Sequence, residues 1–263
     1  MDACSVQPEP FRPIIRHHHQ SQSAFLAPCL EGQIESAIIS AYLATPASIG
    51  RGIMLDGLVA GELAGQAGDA FAEAIQRTAK MFAQHETSKG PIAHCSISII
   101  EVLAPEFTRT MTRRFRLDDA IGIAPDHDIV DYSRSKHRDA MRNLFNKYEA
   151  IPARAIHWIV EGDVDAILSV VQPLEAIGKN RARGWGQVTE WVATPVAGRA
   201  GLRRSDGQPA RVIPLEDWRG IKPAVTSESP IMPRYWQGQR HLCAAPPRPV
   251  ISDGERIFDW AGD

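Results

Sequence analysis

The chain has 263 residues, 44% of them hydrophobic and 23% charged, with a formal net charge of −2. That composition supports a sizeable core and excludes a protein coated in positive charge, although a nucleic-acid groove needs only local charge. The longest apolar runs fall far short of a membrane span, and the first residues lack the charged-then-apolar order of a signal peptide, so a cytoplasmic protein without membrane contact is expected.

Residues 1–30 are interrupted by Pro8, Pro10, Pro13 and Pro28 and are expected to be poorly structured. His17, His18 and His19 sit in that tract; three consecutive residues cannot all face one ion, so they read as tail rather than as a metal cluster. Residues 33–44 (QIESAIISAYLA), bounded by Gly32 and Pro46, have the β-branched composition of a buried strand. Leu55, Leu58, Val59 and Leu63 then fall at helical spacing, and a second helix is predicted over 69–84 with Phe71, Ile75, Ala79 and Phe82 on one face. Residues 92–103 and 107–117 read as strands on either side of Pro105, 118–131 as a loop and 132–148 as a basic helix. A strand over 151–161 follows. A helix over 163–176 comes next, with Asp163 as N-cap and Pro173 near its end, and then a strand over about 187–194. After Pro195 the chain turns loop-rich.

This order fits an α+β, ferredoxin-like (RRM-like) sheet over residues 31–195, carrying a basic insertion at 118–150. Residues 196–263 would form a loop-rich C-terminal extension packing on that domain. The four cysteines (Cys4, Cys29, Cys95, Cys243) are scattered without a CxxC pair, so they imply neither a zinc ribbon nor a disulfide framework and read as reduced thiols.

The most informative segment is Gly178-Lys179-Asn180-Arg181-Ala182-Arg183-Gly184-Trp185-Gly186. Three glycines allow backbone N–H groups to approach a ligand. Lys179, Arg181 and Arg183 offer cations to phosphate, and Trp185 offers a flat face to a base. The segment follows a helix instead of opening one and lacks the GxxxxGK spacing, which excludes a Walker A loop. The competing reading is a solvated turn before an edge strand.

A helix, then Gly–Lys/Arg–x–Arg–x–x–Gly–aromatic–Gly, then a strand resembles the glycine-rich loop of the repeat-associated RNA-binding (RAMP) superfamily of CRISPR proteins. LDGLVAGELA on the first helix is similar to the Leu–Asp/His–x–Leu–Leu/Val–Ala motif found there. Pro233-Arg234-Tyr235-Trp236, with Cys243 and Pro246-Pro247, resembles the ending of the type IV Cas-five-like subunit, the Csf-three group. These motifs span roughly residues 33–247, but only about thirty positions carry them. The resemblance implies a subunit without cofactor that caps the 5′ handle of a guide RNA (crRNA). It would sit beside Cas-seven-like backbone subunits and a large subunit, and meet target DNA through the complex.

Other cations add to this reading. On the strand over 107–117, Arg114 and Arg116 point one way and Arg109 and Arg113 the other, so part of the set reaches solvent and is available either to phosphate or to neighbouring aspartates. Arg134, Lys136, Arg138 and Arg142 are candidate duplex contacts, Arg138 and Arg142 sharing a helical face, although a charged helix is equally a solvated one. Gly57, Gly61 and Gly65 recur every four residues, which suggests close approach of another backbone; Asp56 among them could orient local backbone. A sister branch of the superfamily cuts precursor guide RNA with a histidine near the first helix. Here that helix carries Asp56 and Glu62, and His85 and His94 are the nearest histidines; His157 lies on a strand and reads as a satisfied or exposed side chain. Without a catalytic constellation in the sequence, a binding subunit is expected, with an endoribonuclease or a protein-contact module as alternatives.

Overall fold

The computed structural model describes residues 35–50, 52–67, 71–113, 144–197, 201–233, 235, 238–247 and 250–251. The chain divides into two units, residues 1–32 and 33–263, and all described residues belong to the second. The unit is mixed α+β, with mainly antiparallel sheets and few helices.

β1 (Glu35–Leu43) runs into helix α1 (Leu55–Ala67) and helix α2 (Phe71–Met81). Two short strands follow, β2 (Gln84–His85) and β3 (Ile92–Ala93), then β4 (Ile99–Val102). A hairpin of β5 (Phe107–Arg113) and β6 (Leu144–Ala150) precedes β7 (Ala153–Gly162), α3 (Val164–Val171) and β8 (Val188–Pro195). The remaining strands are β9 (Ile213–Pro214), β10 (Val225–Ser229), β11 (His241–Ala245) and β12 (Val250–Ile251).

The main sheet has the order β12-β4-β7-β1-β8. β1 pairs antiparallel with both β7 and β8, β4 pairs antiparallel with β7, and β12 adds a parallel edge to β4. Each of the two helical crossovers thus returns the chain past one intervening strand. Because β1 and β7 lie in the middle, both of their faces are covered, which is why their sequences are nearly continuous runs of apolar residues. On the helix side Ile39, Ala41, Ile156, Trp158 and Val160 pack with Leu55, Val59, Leu63, Ile167 and Val171. Trp158 stacks on Trp191 with ring centroids 5.9 Å apart. On the other side Ile38, Ile99, Ile159 and Ile251 form a smaller cluster. Each such isoleucine contributes roughly 1.5–3 kcal/mol by leaving water.

Four sequence expectations are corrected. The strand over 92–103 is two strands, because residues 94–98 bond to several different segments: His94 N–H donates to Ala83, Ser96 to Ile159, Ile97 to Ala210 and Ser98 to Ile53. No single ladder can form. The inward face of α2 is shifted, with Ala74 and Thr78 buried, Phe71 and Ile75 half-buried and Ala79 exposed; the helix stops at Met81, and Phe82 is buried beyond it, bridged to Gly162. Gly162 is needed there, since a Cβ would lie 2.2 Å from the Met81 carbonyl oxygen. The basic helix over 132–148 does not extend to its expected end: residues 144–148 belong to strand β6, in register with β5. Its cations Arg134, Lys136, Arg138 and Arg142, like Arg114 and Arg116, lie outside the described residues, as do the three tail histidines.

The helix over 163–176 ends early, at Val171. Asp163 caps it as expected, its Oδ1 accepting from Ala166 N–H at 3.0 Å, but Pro173 lacks an N–H and restricts the residue before it. The tail after Pro195 is loop-rich yet supplies its own three-stranded sheet, β10-β11-β9, as well as β12. Among the described residues, no helix is long and apolar enough to cross a membrane.

Candidate nucleic-acid interface

The segment 178–186 is a loop with a closed neck. Ile177 N–H donates to Gly186 O at 2.9 Å, and Ala176 bridges Gln187. The neck is fastened to the turn after β1: Lys179 N–H donates to Ser48 O at 2.8 Å and Gly186 N–H to Pro46 O at 2.9 Å. Two of the glycines serve that closure. A Cβ on Gly178 (φ +88°) would lie 2.7 Å from Ser48 O, and one on Gly186 (φ +64°) would lie 2.0 Å from Ile177 O. Gly184 (φ +80°) ends a single 3-10 turn, Arg181–Arg183, and a Cβ there would meet only the Gln187 side-chain amide, at 4.0 Å. The N–H groups of Lys179, Arg183, Gly184 and Gly186 all find acceptors within the chain. The expectation that the glycines free the backbone to meet a ligand is corrected in part: those four N–H groups are taken, and Gly178 and Gly186 let the loop close on itself.

What the closed loop presents is side chains. Lys179, Arg181 and Arg183 are exposed, and Lys179 and Arg181 have no ion pair among the described residues. Trp185 corrects a second expectation: it is 7% exposed and meets Tyr148 of β6 edge-to-face, centroids 6.2 Å apart. The indole packs the loop against the hairpin instead of offering an open face. Tyr148 lies opposite Arg109 in the β5–β6 register, so Arg109, which is exposed, shares the hairpin face that touches the loop. Lys147 is exposed on the other face.

The first-helix motif and the tail motif meet each other. Tyr235 donates its hydroxyl to Asp56 Oδ2 at 2.7 Å, and Arg211 Nη2 lies 3.1 Å from the Tyr235 oxygen and 3.4 Å from Asp56 Oδ2. Arg211, fully buried, also donates to the carbonyls of Ala93 and Ile231. Burial pushes the Tyr235 phenol well above its usual range and the neighbouring Cys95 thiol up to about 12, with the Asp56 charge adding to both. Both groups stay protonated, and neither is a nucleophile. Gly57 is small because a Cβ would lie 2.8 Å from the Tyr235 ring; Gly61 and Gly65 face open space, so the four-residue glycine row is not one contact. Sequence reasoning missed Arg211. An arginine between Ala210 and Val212 carries no periodic sign of burial.

The histidines were also brought into view. His94 Nδ1 lies 3.1 Å from Glu161 Oε2, with His85 edge-on to His94 at 6.0 Å. His157 is satisfied, its Nδ1 2.8 Å from Ser40 Oγ and its Nε2 3.5 Å from Glu101 Oε2. This Ser–His–Glu series runs across three strands, which no sequence spacing reveals. Ser40 and His157 are each only 5% exposed, so substrate has no approach to the hydroxyl, and the series ties the sheet together. Among the described residues, no group of three or more His, Cys, Asp or Glu side chains could hold a metal ion. The chain matches no protein-family model and no curated protein sequence.

Proposed function

We propose that this chain is a guide-RNA-binding subunit of a type IV CRISPR effector complex that breaks no bond and grips RNA through the loop 178–186. The observation that carries the reading is the pinned neck with Lys179, Arg181 and Arg183 turned outward from it, beside Arg109 of the hairpin. A fixed backbone holding exposed cations suits phosphates spaced along a single strand. The order β4-β7-β1-β8, with two interlocked β–α–β crossovers, supports a ferredoxin-like sheet of the RAMP kind, in which such a loop joins the second crossover helix to the last strand. The contact of Asp56 with Tyr235 supports reading the first-helix and tail motifs as one assembly. On this reading the subunit caps the 5′ handle of the crRNA in the cytoplasm and helps recognise the duplex beside the target. Its partners are Cas-seven-like backbone subunits, a large subunit and, through the complex, target DNA.

The test is co-purification of the tagged protein from its operon, natural or with Arg181→Glu and Arg183→Glu. The reading expects a uniform guide RNA with the natural protein and loss of that RNA with the variant. Unchanged RNA retention by the variant contradicts it.

A further inference from the structure

The tail carries a cavity that the loop 178–186 does not touch. Its volume is about 380 Å³, within the roughly 300–1,000 Å³ of small-ligand sites. Pro230, Met232 and Pro233, just after β10, supply apolar lining, and Met232 is 43% exposed, so this surface meets water in the free protein. Gln239 also lines the cavity; it is exposed, and its carboxamide has no partner among the described residues. The two lining residues able to carry positive charge, Lys89 and His241, both stand near Glu216: Lys89 Nζ lies 3.0 Å from Glu216 Oε1, and His241 acts on the same carboxylate. Ser88 donates its N–H to Asp217 Oδ2 at 2.9 Å and its hydroxyl to the Glu216 and Asp217 carboxylates. Charge at the rim is thereby cancelled, and an anion gains little there.

We infer that this cavity takes one unpaired nucleobase, its ring against Met232 and the two prolines and its polar edge on the Gln239 carboxamide. The site goes beyond the loop reading and does not depend on it. A thioether and two proline rings accept a flat ring without directional demand. Every nucleobase carries a donor and an acceptor side by side on its pairing edge, and a carboxamide offers the matching pair and can turn to suit either order. A tyrosine or tryptophan from a protein partner presents a single polar atom, and phenylalanine none. The cancelled charge favours the neutral base over the phosphate that carries it.

The experiment titrates full-length natural protein, Gln239→Ala, Met232→Glu and Lys179→Glu/Arg181→Glu with adenosine, uridine, adenosine 5′-monophosphate, para-cresol and labelled oligoadenylate, with melting temperatures measured on the free proteins. Both nucleosides should bind the natural protein, the monophosphate should bind as adenosine does, and para-cresol, a tyrosine side-chain analogue, should bind more weakly. Gln239→Ala removes an exposed side chain without partners, so it should melt as the natural protein does and lose about fivefold in nucleoside affinity. Met232→Glu should lose more. A parallel loss for oligoadenylate assigns the base to a strand, whereas a loss for nucleosides alone assigns the site to free nucleoside. Absence of nucleoside binding, or natural affinity in Gln239→Ala, overturns the inference. Para-cresol binding as tightly as the nucleosides overturns it in favour of an aromatic side chain of a protein partner, and a marked preference for the monophosphate overturns the neutral-base assignment. Lys179→Glu/Arg181→Glu should bind nucleosides as the natural protein does. Nucleoside binding without loop-dependent RNA binding therefore supports this site while contradicting the loop reading.

Discussion

At the scale of single residues, the glycine loop separates what closes a loop from what a loop presents. Gly186→Ala puts a Cβ against the Ile177 carbonyl in a backbone region that L-residues avoid, whereas Gly184→Ala meets only the Gln187 side chain at ordinary contact distance and bears only the conformational cost. The expected losses are about 3 kcal/mol or more for Gly186→Ala and roughly 1 kcal/mol for Gly184→Ala, read by denaturant unfolding. Equal losses would remove the distinction. The buried cluster gives a second residue-scale prediction. Asp56→Asn leaves the fully buried Arg211 without its countercharge, at a cost of about 3–5 kcal/mol; Tyr235→Phe removes hydrogen bonds only and costs about 1–3 kcal/mol. A larger loss for Tyr235→Phe than for Asp56→Asn would show that the phenol, not the carboxylate, holds Arg211.

At the scale of elements, the sequence was legible where one physical signal acted alone. β1 and β7 were marked by uninterrupted apolar runs, α1 by the spacing of Leu55, Val59 and Leu63, and α3 by its Asp163 cap. It failed where partners decide. Residues 94–98 are apolar enough for a strand but are claimed by four segments in turn, and residues 144–148 looked helical in charge pattern until β5 supplied a ladder. Trp185 is read from sequence as a stacking face because nothing local announces Tyr148. The contact of His157 with Ser40 and Glu101 is likewise a product of register, and it has a measurable consequence. Burial lowers the His157 pKa from its ordinary 6.5, with the nearby Glu101 offsetting part of that. The unfolded chain then binds the proton more readily than the folded one. Stability contributed by this site is present above about pH 6.5 and is lost as pH falls below it. His157→Gln should flatten the fall in unfolding free energy between pH 7 and pH 5 relative to the natural protein, as read by denaturant titration at each pH; an unchanged slope would show that other groups govern it.

At the scale of the whole molecule, the tail belongs to the architecture. β12 extends the main sheet, and Arg211 and Tyr235 fasten the tail to the first helix around Asp56. Buried networks of this kind fail as a unit, so Asp56→Asn and Tyr235→Phe should be strongly non-additive in a double-mutant cycle, with the coupling energy exceeding about 0.5 kcal/mol. Additive losses would mean that the tail and the first helix are held by separate contacts.

The central claim concerns the outward cations of the closed loop. The most direct measurement is the salt dependence of single-stranded RNA binding, by fluorescence anisotropy, for the natural protein and for Lys179→Glu/Arg181→Glu. Two phosphate contacts at roughly 0.7 each should lower the slope of log K against log salt by about 1.4 in the variant and weaken binding at every salt concentration. An unchanged slope and affinity, or a natural protein that does not bind RNA, would contradict the account.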